Sequence, residues 1–228
     1  RLEQNQVRLC GVPLPTKLET RHLLAMGTTG AGKTQALLGL MHDILKRGDK
    51  IVVLDAGGEF LSRFYDADQD RLINPFDRRS EKWSPFAELA GPWDVERIAS
   101  LIVPTGSGSS SEWNHKAQVL TSSILHNLIQ EGRTTNKDLL DLLLRSTKEQ
   151  VEGYVKGTSA EPLVQTAKQF DDTRAIAGQY LTAYTYLWQD AGVNAFSVGD
   201  WLQTAERALW IPYRPDQKDA LKPVLTAL

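Results

Sequence analysis

The 228-residue sequence holds one cysteine, Cys10. A lone thiol excludes an intramolecular disulfide and fits a reducing compartment, where Cys10 reads as a small buried apolar residue. No stretch approaches the ~18 apolar residues of a membrane span. No signal peptide opens the chain. Charge of one sign is also scarce. Lys and Arg number 26 against 28 Asp and Glu, for a net charge of −2. That balance gives no bulk electrostatic case for nucleic acid. Residues 93–190 hold 9 basic and 12 acidic residues, so dividing the chain does not uncover a basic half. The four histidines, His22, His42, His115 and His126, lack metal-ligand spacing. No initiator methionine is present. The chain opens on Arg1 and stops inside the helical-looking DALKPVLTAL, so it reads as a piece trimmed at both ends.

The apolar patterning describes an α/β protein. Residues 5–18 pair short apolar pieces around Gly11, Pro13 and Pro15, the pattern of a small hairpin. His22 to Met26 predicts a short strand, and a glycine-rich turn follows. Apolar residues at 37, 38, 40, 41, 44 and 45 predict a helix from Lys33 to Arg47, stopped by Gly48. Ile51 to Leu54 predicts a continuously buried parallel strand. Strand, turn, helix and strand make a βαβ unit, whose right-handed crossover sets its strands in one parallel sheet.

From about Pro92 strand signals give way to helix signals. Ser109-x-x-Glu112, Thr135-x-x-Asp138 and Thr147-x-x-Gln150 each have capping-box spacing. A helix is predicted from Trp113 to Glu131, ended by Gly132, and a long one from Leu163 to Gln189. Leu209-Trp210-Ile211 returns to strand texture. The predicted organisation is a sheet domain over 1–91, an all-α insertion over 92–195, and the sheet domain's continuation over 196–228. The four tryptophans Trp113, Trp188, Trp201 and Trp210 read as packing residues rather than base-stacking platforms.

One motif carries chemistry. Gly27-Thr28-Thr29-Gly30-Ala31-Gly32-Lys33-Thr34 matches G-x-x-x-x-G-K-[ST] in full. Glycines let backbone N–H groups converge on a phosphate without Cβ clashes. The following helix aims its positive N-terminus at the same anion. In this pattern Lys33 bridges the β- and γ-phosphates and the Thr34 hydroxyl ligates Mg²⁺. Asp55, at the end of the next strand in DAGGEF, lies where a parallel sheet faces its ligand crevice. Asp55 or Glu59 is a candidate for contact with a magnesium-bound water. The alternatives weigh evenly: Asp55 as a turn cap and Glu59 as a solvated loop residue.

Hydrolysis needs a second acid-bearing strand, four apolar residues running into Asp or Asp-Glu. After residue 55 the sequence has none, because Leu209-Trp210-Ile211 runs into Pro212-Tyr213-Arg214. Arg207 and Arg214 flank that strand and are weighed as cations for a γ-phosphate on a neighbouring subunit.

The order of RHLLAMGTTGAGKT, RGDKIVVLDAGGEF, RLINPFDRRSEKWSPFAEL, a helical insertion, FSVGDWLQ, ALWIPYRPDQ and ALKPVL resembles the type IV secretion and conjugation coupling proteins, the TraD and TrwB group. The NPFD-x-R-x-x-x-W segment (74–83) and the DQ-x-x-LKP segment make that resemblance specific. It implies a RecA-like P-loop domain, its parallel sheet interrupted by an all-α inserted domain. It implies ATP and Mg²⁺ as ligands, a homo-hexamer, and helices outside this chain that anchor it at the cytoplasmic face of the bacterial inner membrane. It implies a motor that moves DNA, with its relaxase and relaxosome proteins, into a type IV secretion channel. Gly27 to Thr34 match the family's phosphate loop, and Asp55, Gly58 and Glu59 its D-x-x-G-E segment, with Ala56-Gly57 in place of Pro-Lys. The second acidic motif is implied beyond Leu228. The alternative reading is a nucleotide-gated docking module that recognises the relaxosome or secreted substrates without hydrolysis.

Overall fold

The computed structural model describes residues 6–108 and 110–228. The chain divides into two compact units, 1–72 with 205–214, and 73–204 with 215–228.

The first unit begins with a hairpin of β1 (Arg8–Leu9) and β2 (Val12–Pro13). Its tip places Cys10 at φ 52° before Gly11 at φ 82°, so the thiol expected to be buried is exposed on a turn. A short helix α1 (Thr16–Glu19) follows, then α2 (Lys33–Arg47), β3 (Ile51–Ala56), the single turn α3 (Leu61–Phe64), β4 (Asp70–Leu72) and, after the helical unit, β5 (Ala208–Tyr213). The sheet order is β3-β5-β4 and both pairings are parallel. β5 is therefore central, which explains why it is apolar and buried over Ala208–Ile211. Leu61, Leu72, Ala208 and Trp210 form the core of this unit, with Met41, Leu45, Ile51 and Val53 packed against them. α2 stops at Gly48, in the left-handed conformation at φ 86°, whose N–H bonds back to Ile44 and Leu45 carbonyls.

Two strand expectations change. No ladder forms over His22–Met26, and Leu23, Leu24 and Met26 are 52%, 83% and 81% exposed. Apolar content alone does not make a strand, since the backbone groups need a partner and no described strand supplies one. β3 is parallel as expected but not buried on both sides. Ile51 and Val53 face the core while Val52 and Leu54 are more than half exposed, the alternation of a strand covered on one face.

The second unit is helical. α4 (Val95–Ile102) buries Val95, Ile98, Ala99 and Ile102, one stripe of the helix. α5 (Ser110–Gln130) buries Ala117, Leu120, Thr121, Ile124, Leu125 and Leu128. Gly132, at φ 70°, ends it as expected. α6 (Asn136–Leu140) runs into a π-helical turn at Asp141–Arg145, and α7 (Lys148–Val155) follows. The capping boxes at Thr135 and Thr147 are both formed. The box expected at Ser109 lies outside the described residues.

The long helix expected over 163–189 is three pieces: a 3₁₀ turn at Glu161–Val164, α8 (Ala167–Leu181), and another 3₁₀ turn at Thr182–Tyr186. Thr166 caps α8 by accepting from Gln169 N–H, so a new helix begins there. α9 (Val198–Trp201) and α10 (Lys218–Ala227) complete the unit. Trp83 and Phe86 are buried, and α10 lays its Leu221 and Val224 face on α4 and on the Thr182–Tyr186 turn. Segments 73–91 and 215–228 therefore belong to the helical unit, whereas the boundaries read from the sequence were 91/92 and 195/196.

Candidate nucleotide site

The glycine-rich loop lies in the first unit and residues 27–32 are exposed. Gly30 and Gly32 take φ 82° and 84°, the left-handed region that a Cβ disfavours. A Cβ on Gly27 would sit 3.2 Å from the Ala31 Cβ. Gly32 is the N-cap residue of α2 and makes no side-chain cap, so the N–H groups of the first turn remain available to a ligand. The Lys33 ammonium folds back over the loop and donates to Gly27 O at 2.8 Å and Thr28 O at 2.7 Å. The cation is thus held by two carbonyl oxygens of the loop, at the N-terminal end of α2, where a polyphosphate is favoured.

α2 ends at Gly48, and Asp49 and Lys50 lead directly into β3. The helix therefore runs back along the sheet, which puts Lys33 and Thr34 at the same end of this unit as Asp55. Asp55 is 2% exposed, and its Oδ2 accepts from Leu61 N–H at 2.8 Å. That contact is the turn-capping role weighed for it in the sequence. Gly57 and Gly58, at φ 95° and 74°, make the turn before α3. Glu59 is exposed and pairs loosely with Arg63 at 3.7 Å.

Arg207 is not a free cation at this site. Its guanidinium is spent on Asp70, which holds its pKa above the usual arginine value. Trp201 and Trp210 are buried as expected, whereas Trp113 is 39% exposed with Lys116 Nζ 4.5 Å from its ring centroid. His115 and His126 are exposed on α5. No group of three or more metal-ligating side chains exists among the described residues, and no helix there is long and apolar enough to cross a membrane.

The family model for the type IV secretion-system coupling protein DNA-binding domain matches residues 6–228. The chain belongs to the type IV secretion-system coupling proteins. The coupling protein TraD of Escherichia coli K12 is 25% identical over 232 residues, covering 98% of this chain and 32% of TraD. Among solved structures, the bacterial conjugative coupling protein TrwB in its unbound monoclinic form is 32% identical with a TM-score of 0.87. It covers all of this coupling-protein chain and 54% of the TrwB chain. TrwB in complex with the ATP analogue ADPNP matches with the same TM-score, and TrwB with ADP and Mg²⁺ at 0.86, each at 32% identity over the whole chain. This coupling-protein chain thus spans about half the length of the TrwB structures and about a third of TraD. The fold is the RecA-like parallel sheet of that family with its helical region.

The sequence reading passed over two residues of the helical unit. Phe76 and Tyr186 lie ring to ring, with centroids 5.1 Å apart. Their separation in the chain leaves no spacing signal that joins them.

Proposed function

We propose that this chain is the ATP-binding part of a motor that passes DNA, with its attached relaxase, into a type IV secretion channel. The observation that carries the reading is Lys33 closed over the loop of Gly27 to Gly32, on a chain similar along its whole length to TrwB structures holding ADPNP or ADP and Mg²⁺. In this reading the N–H groups of Gly27 to Thr34 receive the β-phosphate. Lys33 leaves the Gly27 and Thr28 carbonyls to meet the β- and γ-oxygens. The Thr34 hydroxyl would hold Mg²⁺, which would supply charge neutralisation on the phosphates. Asp55 positions the turn before α3 through Leu61 N–H and, at the same end of the unit as Thr34, would face a magnesium-bound water. Glu59, exposed and tied only to Arg63, is the weaker candidate for orienting water. The working form is a homo-hexamer at the cytoplasmic face of the inner membrane. Its partners are DNA, relaxosome proteins and channel components.

A second reading has its own support. Among the described strands, Asp55 is the one acid at a strand's C-terminal end, because β5 ends in Pro212-Tyr213. A nucleotide-gated docking module needs no second acid. The ATPase rate of the full-length protein, with and without single-stranded DNA and beside Lys33→Ala, separates the two. The motor reading expects DNA-stimulated turnover that Lys33→Ala abolishes. Nucleotide binding without turnover sinks it and leaves the docking module.

A further inference from the structure

The Asn-Pro-Phe-Asp segment forms a turn whose polar side chains are consumed in holding its own backbone. Asn74 Oδ1 accepts from Phe76 N–H at 2.8 Å, and Asn74 N–H donates to Ser80 Oγ at 2.9 Å. Asp77 accepts from the Arg79 side chain at 3.0 and 2.7 Å and from Arg79 N–H at 2.9 Å. The turn is thereby rigid, yet it carries its one large apolar side chain outward: Phe76 is 45% exposed. Tyr186, 44% exposed, closes the Thr182–Tyr186 turn, whose Ala183 and Tyr184 are buried in the core of the same unit. The two rings are inclined at 57°. Each is fixed from below by ordered backbone, and each keeps ring surface in water.

Two rings packed on each other at the surface leave apolar area that a further planar ring can cover. The local charge shows what the rings suit. Asp77 is neutralised by Arg79, Asp190 by Lys82 at 2.6 Å, and Glu81 is also engaged. Arg78, two residues from Phe76, is exposed and makes no hydrogen bond or ion pair among the described residues. Exposed aromatic rings, with an uncommitted guanidinium on the same turn as Phe76, match a strand whose bases stack and whose phosphates are anionic. Duplex DNA fits less well, because its bases are already stacked on one another and the turn offers no helix or ribbon for the major groove.

We propose that Phe76 and Tyr186, with Arg78 on the turn that carries Phe76, form a stacking platform for the bases of single-stranded DNA. This inference rests on the reading of the protein as one that handles DNA, and it places one contact on the helical unit, apart from the phosphate loop. Stacking on a ring face tolerates any base, as a contact with a moving strand requires.

The test uses the full-length protein and a fluorescently labelled oligothymidylate, with binding read by anisotropy across a salt series. Phe76→Ala and Tyr186→Ala each weaken binding roughly 5- to 100-fold, the range for one lost base-stacking contact. Phe76→Trp restores it, and Arg78→Ala lowers the salt slope by about 0.7, one phosphate contact on a single strand. Photo-crosslinking with 5-iodouracil DNA places the adduct on the peptide of Phe76 or Tyr186. Thermal melts confirm that each variant is folded. If the alanine variants bind as the wild type does and the crosslink maps elsewhere, the platform is wrong while the DNA reading stands. If they keep DNA binding but lose a purified relaxase, the surface docks protein and the proposal is overturned. If the wild type binds no DNA, both readings fall together.

Discussion

The Arg207 guanidinium grips both carboxylate oxygens of Asp70, with Nε and Nη2 donating at 3.0 and 2.9 Å. The Asp70 side chain is fully buried, and it also accepts from Trp210 Nε1 at 2.9 Å and Asp66 N–H at 3.0 Å. Arg207 reaches on to Phe64 O at 2.8 Å. The pair locks the start of β4 to the residue just before β5. Arg207→Ala leaves a buried carboxylate without its cation, and the expected loss is about 3–5 kcal/mol in urea unfolding. An unchanged unfolding midpoint would show that the pair does not hold the sheet.

Gly192 lies against the segment before α6. Thr135 and Gly192 form an antiparallel bridge, and Asn136 N–H donates to Ala191 O at 2.8 Å. A Cβ on Gly192 would sit 2.2 Å from the Thr134 carbonyl oxygen, a backbone atom with no rotamer to escape into. Gly192→Ala is expected to cost about 1–3 kcal/mol as overpacking. The same substitution at Gly153, where a Cβ meets nothing within 4 Å, serves as the control in the same thermal melt. Equal melting temperatures for the two variants would refute the close approach.

Asp94 gives a pH dependence. The Arg97 side chain donates to it at 2.6 and 2.8 Å, and Ala90 N–H at 3.1 Å. Chiefly through Arg97, and then through that N–H, its pKa is lowered from 3.8 to about 2. A depressed carboxyl pKa stabilises the folded state above the unfolded value, and that contribution is lost as pH falls through the folded value. The contribution should therefore be present above about pH 4 and disappear toward pH 2. Asp94→Asn is expected to flatten that part of the acid limb, measured as denaturation midpoints at pH 5, 3 and 2. Added salt shrinks the difference, because Arg97 is half exposed. Parallel acid limbs for the two proteins would contradict the assignment.

Tyr184 is 1% exposed, packs 6.3 Å from Trp83 between ring centroids, and its hydroxyl finds no hydrogen-bond partner among the described residues. Burial pushes its pKa above the usual phenol value. A hydroxyl in that position carries its desolvation cost without compensation. Tyr184→Phe keeps the ring and is expected to leave stability unchanged or raise it by up to about 1 kcal/mol. A loss larger than that, in calorimetry, would reveal a bond to the hydroxyl.

What the sequence showed was local. The glycine turn into α2, the Gly48 stop and the boxes at Thr135 and Thr147 are set by residues within a few positions of one another, and each of these local features forms in the structure. The strand expected at His22–Met26 failed because pairing is a property of two segments, and only one was visible. The helix expected over 163–189 failed because apolar residues recur on both sides of Thr166 and hid the cap there. The grip of Arg207 on Asp70 spans 137 positions and has no periodic signature. Nor does the meeting of Phe76 with Tyr186. At the candidate site, the loop was legible and the commitment of Asp55 to Leu61 N–H remained one of two open alternatives.

The place of β5 between β3 and β4 sets an order of events on the ribosome. Ile51 pairs with Ala208 and Asp70 pairs with the same residue from the other side. Among the described strands neither β3 nor β4 has another partner, and at ordinary elongation rates they wait on the order of 10–30 s for the strand that joins them. The helical unit, apart from residues 215–228, is synthesised in that interval. Nascent chains stalled before Ala208 should therefore carry a helical unit that resists protease and outer strands that do not, which makes the late strand the step where chaperones have most to do.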